Sequence, residues 1–255
     1  MIYTKDKLDR LGICVIIPTY NNDKTLTTVI DSCLEMTRSL IVVNDGSTDN
    51  TETILSSYND NHNIDIVGYA RNRGKGYALK KGFEYARMKS YKYAITLDAD
   101  GQHFASDIPL FVDEIEKNTN ALIVGSRFLN AENMPRQNTF ANKFSNFWFT
   151  VQTLQSVPDT QTGFRLYPLE KMGKMWWLTS RYEAELEMLV YAAWNGVKII
   201  SKPINVYYPS PEKRVSHFRP FMDFFRISVL NTILCFLAVF YGGPRMLINK
   251  ISGRY

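Results

Sequence analysis

Two aspartates separated by one residue end an apolar run in the stretch LDADGQH, residues 97–103. On an extended strand, residues i and i+2 point to the same side, so Asp98 and Asp100 are predicted to lie together. Neighbouring carboxylates repel each other unless a proton or a cation lies between them. Since Mg²⁺ and Mn²⁺ prefer oxygen ligands, Asp98, Asp100 and Gln102 form a candidate metal site. The alternative is a solvated acidic turn that caps the next helix.

A basic, glycine-containing segment, RNRGKG at 71–76, stands at the start of a predicted helix. Its cationic side chains and backbone N–H groups suit phosphate. The dinucleotide fingerprint fails because Leu79 replaces its third glycine, and the chain has no Walker A sequence. A nucleoside diphosphate bound together with a metal ion is therefore expected, rather than NAD or ATP. The alternative is an ordinary basic turn.

The elements that must position these residues alternate between strand and helix. Strands are predicted at 13–17, 40–43, 64–69, 93–97 and 121–125, and one or two more within 197–208. One helix is predicted at 23–36, with Asp23 as its N-cap, and a second begins after Thr48 or Asp49, either of which can be its N-cap. Further helices are predicted at 74–90, 107–117, 142–154 and 180–196. Short apolar strands alternating with helices indicate an α/β fold with a parallel sheet buried on both faces. Ligands bind at the carboxyl ends of such strands, and every predicted strand here ends in polar residues.

The composition is that of a globular protein with a sizeable core. The chain has 255 residues, 45% of them apolar, which is typical of one sizeable domain. Its three cysteines are too few and too scattered for a disulfide framework or a zinc cluster. The polar N-terminus is not a secretory signal, so the cytosol is the default compartment.

The C-terminal segment is basic and contains an apolar helix. Residues 198–255 carry nine Lys and Arg but two acids, whereas the whole chain has a net charge of +5. Residues 227–241 are mostly apolar, and a helix of that length is about 23 Å long, shorter than the roughly 30 Å hydrocarbon core. A helix with basic flanks suggests a membrane surface rather than nucleic acid. The alternative is a helix buried against the domain or in a homo-oligomer.

In order and spacing, six motifs resemble the inverting family-2 glycosyltransferases. The motifs are IIPTYNN, VVNDGSTDNT, NRGKGYALKKGF, LDADGQH, GSRF and DTQTGFRLY. The chain is most similar to the polyprenyl-phosphate sugar synthases related to dolichol-phosphate mannose synthase, over about residues 12–210. This resemblance implies a single Rossmann-like domain of the GT-A type, residues 1–210. The basic flanks and the apolar run beyond it predict a membrane-associating segment, residues 211–255, at the cytoplasmic face of a membrane.

The resemblance also implies roles for individual residues. For the nucleotide sugar it implies Pro18, Tyr20, Asp45, Asp98 and Arg127, and the polar strand ends and the basic segment add Asn21, Asn72 and Lys75 as candidates. For a divalent cation, Mg²⁺ or Mn²⁺, it implies Asp98, Asp100 and Gln102. For catalysis it implies Asp100, Arg127, Asp159 and Glu185, and for the acceptor Arg165. Beyond the region of resemblance, the basic flank residue Arg214 and the possible phosphate contact His217 are further acceptor candidates. Two positions depart from the family: Asn22 stands where many members have Glu, and Asn44 where many have Asp. The choice between UDP and GDP therefore stays open.

The acceptor decides whether a base is needed. A polyprenyl phosphate is already ionised, whereas a hydroxyl acceptor needs a carboxylate to take its proton, with Asp159 as first candidate and Glu185 as second. Alternatives to a lipid-directed enzyme are a glycosyltransferase with a non-lipid hydroxyl acceptor and a non-catalytic, membrane-tethered nucleotide-sugar-binding protein. A nucleotidyltransferase is less favoured, because PTYNN is not the glycine-rich loop expected after its first strand.

Overall fold

The computed structural model describes residues 2–127, 136–172, 178–208 and 220–252. The strands in these ranges are β1 (Ile13–Thr19), β2 (Leu40–Asn44), β3 (Ile64–Gly68), β4 (Tyr93–Thr96), β5 (Leu122–Arg127), β6 (Arg165–Pro168) and β7 (Ile199–Ile204). The α-helices are α1 (Ile2–Leu11), α2 (Leu26–Met36), α3 (Thr51–Ser56), α4 (Lys75–Met88), α5 (Ile108–Lys117), α6 (Arg136–Thr153), α7 (Glu183–Trp194), α8 (Pro220–Leu237) and α9 (Gly243–Ile251).

Within the described residues, seven strands form one sheet in the order β3-β2-β1-β4-β6-β5-β7. Every neighbouring pair is parallel except those of β6, which runs antiparallel to β4 and β5. The predicted mostly parallel α/β sheet is confirmed. β6 and α1 were not predicted from the sequence.

Apolar layers cover both faces of the sheet, which explains why its strands are continuously apolar. Cys14 and Ile16 of β1 face one layer, formed mainly with α4, α6, α7 and α8. Val15 and Ile17 face the other, formed mainly with α1, α2 and α5. Because successive side chains alternate between the two faces, every side chain of a strand that is covered on both faces is buried, and apolar residues are favoured at all its positions.

Local boundaries differ from the predictions where loop hydrogen bonds take over. Helix α2 begins at Leu26 with Thr25 as N-cap, so the prediction that Asp23 caps it is wrong. The carbonyl of Asn22 accepts from the backbone N–H groups of Thr25 and Leu26 and so shapes that turn. Asn50 is the N-cap of α3, while the Asp49 carboxylate accepts from the Thr51 N–H.

The C-terminal helix is twice as long as predicted. A π-helical turn, Ala238–Gly242, joins α8 to α9 without a break. Phe221–Ile251, 31 residues, is long and apolar enough to cross a membrane by length and composition. Only 17% of its most apolar window is buried, unlike a core helix. We call Phe221–Ile251 the C-terminal helix.

Candidate active site

The predicted site residues gather at the carboxyl edge of the sheet, where β1, β2, β4 and β5 end. Thr19 pairs with Asn44 in the parallel register, and the Asp45 N–H donates to the Thr19 carbonyl at 2.9 Å. The two loops are also joined by Asn21, whose amide donates to Thr48 Oγ1 and accepts from the Thr48 N–H. Asn21 therefore fixes the rim of the site.

Two predicted nucleotide contacts, Pro18 and Tyr20, differ in accessibility. Pro18 is buried within β1 and paired with Val43, so its side chain belongs to the sheet. Tyr20 follows the strand and is half-buried. Of the two, Tyr20 has the position that suits contact with a nucleotide.

The basic segment is folded onto the end of β2 by Asp45. Its carboxylate accepts from Asn72 Nδ2 at 3.0 Å, from the Arg73 N–H at 2.7 Å and from the Gly74 N–H at 2.8 Å. Gly74 has φ 98°, a backbone conformation that favours glycine. Asp45 is 3% exposed, so its first role in the structure is to position residues 72–74.

Asn22 and Asn44, the two residues that depart from the family pattern, make hydrogen bonds within the loops after β1 and β2. Asn44 donates to Glu52 Oε2 at 2.9 Å and accepts from the Ser47 N–H at 3.0 Å. Asn22 donates to Thr19 Oγ1 and to the Tyr20 carbonyl. An aspartate at position 44 would lack the donor and would face the Glu52 carboxylate.

We therefore expect Asn44→Asp to destabilise the fold by about 1 kcal/mol at neutral pH, because a buried hydrogen bond becomes a carboxylate repulsion. Adding Glu52→Gln should restore the stability, since the new glutamine supplies the donor that the new carboxylate lacks. Urea unfolding of the single and double variants measures both effects. Equal stability of the Asn44→Asp variant and the wild type would contradict the pairing.

A partly buried ammonium, that of Lys75, joins two acids in the site. Lys75 Nζ lies 2.6 Å from Asp98 Oδ1 and 2.8 Å from Glu185 Oε2. Burial would lower the pKa of Lys75, but the two carboxylates raise it above its ordinary value, so the side chain stays charged. Glu185 is 5% exposed, and its Oε1 has no hydrogen-bond partner among the described residues.

β4 ends at Thr96, so Asp98 follows the strand and Asp100 lies in the turn after it; the prediction that both stand on an extended strand is wrong. Burial and then the Asp98 charge raise the pKa of Asp100 to about 6. Burial would raise the pKa of Asp98 too, but Lys75 holds it below its ordinary value. Asp100 is therefore the carboxylate whose ionised form is destabilised, and a bound cation would stabilise that form.

The residues present fit a hard divalent cation. Asp100 Oδ1 accepts from the Gln102 N–H at 3.0 Å, which fixes the carboxylate beside the predicted amide ligand. In the described part of the chain, no group of three or more His, Cys, Asp and Glu side chains is placed to hold a metal. Two carboxylates and an amide leave coordination positions for diphosphate oxygens, as expected for a shared ion.

Arg127 and Asp159 form a buried ion pair. Arg127 Nε and Nη2 donate to Asp159 at 2.6 and 3.0 Å, and the Arg127 backbone N–H donates at 3.2 Å. Asn142 Nδ2 and the Gln161 N–H also donate to Asp159. With five donors and no exposed surface, Asp159 is poorly placed to accept a proton from a substrate.

We expect Asp159→Asn to lower the free energy of unfolding by about 3–5 kcal/mol, because Arg127 loses its partner in a buried place. Burial would raise the pKa of Asp159, but Arg127 holds it below its ordinary value. The stabilisation is therefore complete above the unfolded-state pKa and disappears as pH falls through the lower folded-state pKa. Urea unfolding at neutral and acid pH measures the difference.

The matched control is Asp113→Asn, which removes one of the carboxylates that Lys7 contacts, and this carboxylate is 60% exposed. Its effect should stay below about 1 kcal/mol. An Asp159→Asn variant with wild-type stability but no transfer activity would favour the base role instead.

Arg165 cannot touch an acceptor directly, which corrects the prediction. It has no exposed surface, and its guanidinium donates to the backbone carbonyls of Thr160, Thr162 and Glu185. It thereby ties the loop after Asp159 to the start of α7. The other predicted acceptor residues, Arg214 and His217, lie outside the described residues.

Sequence reasoning missed two residues of the site. Asn142 is fully buried and donates to Asp159 at 2.6 Å. The sequence feature that could have indicated it is a polar residue in an aromatic-rich helix. Gly163 packs so closely that a Cβ there would lie 2.7 Å from Lys75 Nζ and would also clash with Asp98. The sequence feature that could have indicated Gly163 is that it is the single glycine of the DTQTGFRLY motif.

The chain is similar in sequence to a family model and to several glycosyltransferases. Residues 14–175 match the sequence profile of Glycosyl transferase family 2. A dolichyl-phosphate beta-glucosyltransferase of Trichomonas vaginalis is 30% identical over 241 residues, covering 85% of this chain and 73% of that protein. A UDP-N-acetylglucosamine–dolichyl-phosphate N-acetylglucosaminyltransferase of Methanococcus voltae is 28% identical over 215 residues, covering 77% and 86%.

The fold is also similar to that of solved glycosyltransferases. Glucosyl-3-phosphoglycerate synthase from Mycobacterium tuberculosis, crystallised with Mn²⁺, UDP and phosphoglyceric acid, has a TM-score of 0.66 and 16% identity, covering 92% of this chain and 81% of that one. At that identity the likeness shows the fold alone, and it confirms the predicted GT-A type. Because the sequence profile spans more than half of the residues, the chain belongs to glycosyl transferase family 2.

Proposed function

We propose that this protein is a metal-dependent, inverting glycosyltransferase. It moves a sugar from a nucleoside diphosphate sugar to a polyprenyl phosphate at the cytoplasmic face of a membrane. The observation that carries the choice of acceptor is that both predicted bases are paired with cations. Asp159 is bound to Arg127, and Glu185 to Lys75. A phosphate acceptor is already ionised and needs neither of them as a base.

The donor's diphosphate would lie at the carboxyl edge, between residues 72–75 and Arg127. Asp45 holds residues 72–74 in place, and Arg127 is 13% exposed at the end of β5. Asp100, with Asp98 and Gln102, would hold the Mg²⁺ or Mn²⁺. When bound, the cation neutralises the negative charge that develops on the departing diphosphate.

Side chains of the protein would hold the donor's diphosphate in position for the reaction. Lys75 and Arg127, held in place by their acid partners, would donate hydrogen bonds to the diphosphate, and this favours the leaving group in the transition state. In the inverting reaction, an acceptor phosphate oxygen forms its bond to the anomeric carbon as the bond to the diphosphate oxygen breaks on the opposite side. No proton transfer from the acceptor is required.

The surroundings of the site support a lipid acceptor. A cavity of about 240 Å³ lies between α7 and α8 and is lined mainly by apolar side chains, among them Leu178, Phe225, Val229 and Ile233. The Trichomonas and Methanococcus relatives are both dolichyl-phosphate transferases by name. We assign donor binding and catalysis to residues 1–210 and membrane association to residues 211–255.

The test is a screen of UDP- and GDP-sugars with purified protein and a short polyprenyl phosphate, with Mn²⁺ or with EDTA. We expect transfer from one donor that EDTA abolishes. Transfer to a hydroxyl-bearing lipid or sugar but not to the phosphate would identify a hydroxyl acceptor. Donor binding without transfer to any acceptor would favour a non-catalytic binding protein.

A further inference from the structure

The C-terminal helix differs from a surface helix of a soluble protein, because three of its polar side chains are buried against the domain while many of its large apolar side chains are exposed. Asp223, Asn231 and Asn249 are at most 5% exposed. Phe221 and Phe240 are 85% and 80% exposed. A soluble surface helix has the opposite arrangement, with apolar residues towards the core.

The buried positions form a single stripe along the whole helix. They are Asp223, Leu230, Asn231, Leu234, Gly242 and Asn249. No two successive members of this described set are more than eight residues apart. Since residues seven or eight apart return to nearly the same side of a helix, one face stays against the domain throughout.

Specific contacts hold this face to α6 and α7. Gln152 of α6 donates to the carbonyl and side-chain oxygens of Asn231. Gly242 lies so close to Trp194 that a Cβ would overlap the indole ring. Near the end of the helix, Asn249 donates to the Trp194 carbonyl at 3.1 Å and Arg245 donates to Asn195 at 2.7 Å.

A bilayer-spanning orientation is incompatible with these contacts. A spanning helix needs about 20 residues away from any water-exposed domain, across a core of about 30 Å. Here the domain is attached from Asp223 to Asn249, about 39 Å along the axis. The helix would have to break its hydrogen bonds to Gln152 and Trp194 before it could cross.

We propose that the C-terminal helix lies in the membrane plane, docked on the catalytic domain, with its outer face in one leaflet and both its ends on the same side. This inference deepens the proposed function and rests on its lipid-linked acceptor. It makes the protein monotopic, although the helix is long enough to span.

The breadth of the outer face favours lipid over a partner helix. On α8 the exposed apolar residues are Phe221, Met222, Phe224, Phe225, Val229, Ile233 and Phe236. At 3.6 residues per turn they cover about 180° of the circumference, much more than a coiled-coil seam. Phe147 and Val151 of α6, and Leu154 directly after it, are exposed as well, and Arg245 and Lys250 supply positive charge for anionic headgroups.

The test measures on which side of a vesicle Ser252 lies. Ser252→Cys and, as a control on the catalytic domain, Tyr3→Cys are made in a Cys235→Ala background; Cys14 and Cys33 are fully buried. Full-length protein is added to preformed phosphatidylcholine–phosphatidylglycerol vesicles and treated with a membrane-impermeant maleimide. We expect both introduced thiols to react equally with and without detergent. Protection of the thiol at position 252 until detergent is added, with the thiol at position 3 reactive throughout, would overturn the proposal.

Depth gives a second readout. Spin labels at 225, 236, 240 and 248 should report similar, shallow depths from collisions with oxygen and with a water-soluble nickel chelate. A profile deepest in the middle and shallow at both ends would show a spanning helix. If the protein ignores vesicles and forms a stable dimer through this face, a second copy is the occupant and the proposal fails. Transfer to a short, soluble polyprenyl phosphate tests the proposed function separately, because it requires no vesicle.

Discussion

Asp100→Asn should reduce sugar transfer by about 10³-fold, because it removes a charged ligand where the departing diphosphate needs its counter-charge. The same change should stabilise the metal-free protein by about 1–2 kcal/mol at pH 8. The sign follows from the pKa of about 6, raised by burial and by Asp98 from 3.8. Ionised Asp100 destabilises the fold; the penalty is absent below the unfolded-state pKa and complete above the folded-state pKa.

Thermal unfolding with and without Mn²⁺ separates the metal role from a general defect. Wild-type protein should be stabilised by the ion, whereas the Asp100→Asn variant should show almost no shift. Asp60→Asn, an exposed aspartate in the loop after α3, is the matched control and should behave like the wild type. Full activity of Asp100→Asn, or of the wild type in EDTA, would remove the metal role assigned to Asp100.

The edge of the sheet where the site lies could be predicted because it depends on local patterns. Apolar runs that end in polar residues identify β1, β2, β4 and β5, and parallel pairing brings their ends together. β6 escaped prediction because its four residues begin with Arg165. A buried arginine looks like a loop residue until its three backbone carbonyl partners are known.

The roles of the acids could not be predicted because they depend on distant partners. Asp159 lies 32 residues from Arg127, and Lys75 lies 23 residues from Asp98 and 110 from Glu185. A carboxylate that is paired in this way positions a cation and is a poor base. Hydropathy likewise predicts an apolar C-terminal helix, but only its contacts with Gln152 and Trp194 show which face is turned inward.

The outer face of the C-terminal helix should determine where the protein resides. Replacing Phe236, Phe240 and Leu247 together by Gln should weaken binding to anionic vesicles by about 10³-fold, since burying each such side chain contributes roughly 1.5 kcal/mol or more. These residues are 67%, 80% and 59% exposed, so the fold should lose little stability. Vesicle flotation and urea unfolding measure the two effects. The matched control is Tyr3→Gln with Met88→Gln, two exposed residues elsewhere on the domain.

The triple variant should also separate transfer to a membrane-bound acceptor from transfer to a soluble one, because donor binding and membrane binding use different parts of the chain. The triple variant should lose most of its transfer to long-chain polyprenyl phosphate in vesicles, yet keep transfer to a short, soluble acceptor. High salt should weaken only the contribution of Arg245 and Lys250, because screening acts on charge and not on apolar burial. Since the residues changed lie outside the stripe that contacts α6 and α7, a variant that unfolds would mean that this face is buried against protein and not lipid. A variant that still floats with vesicles would place the membrane contact elsewhere in the chain.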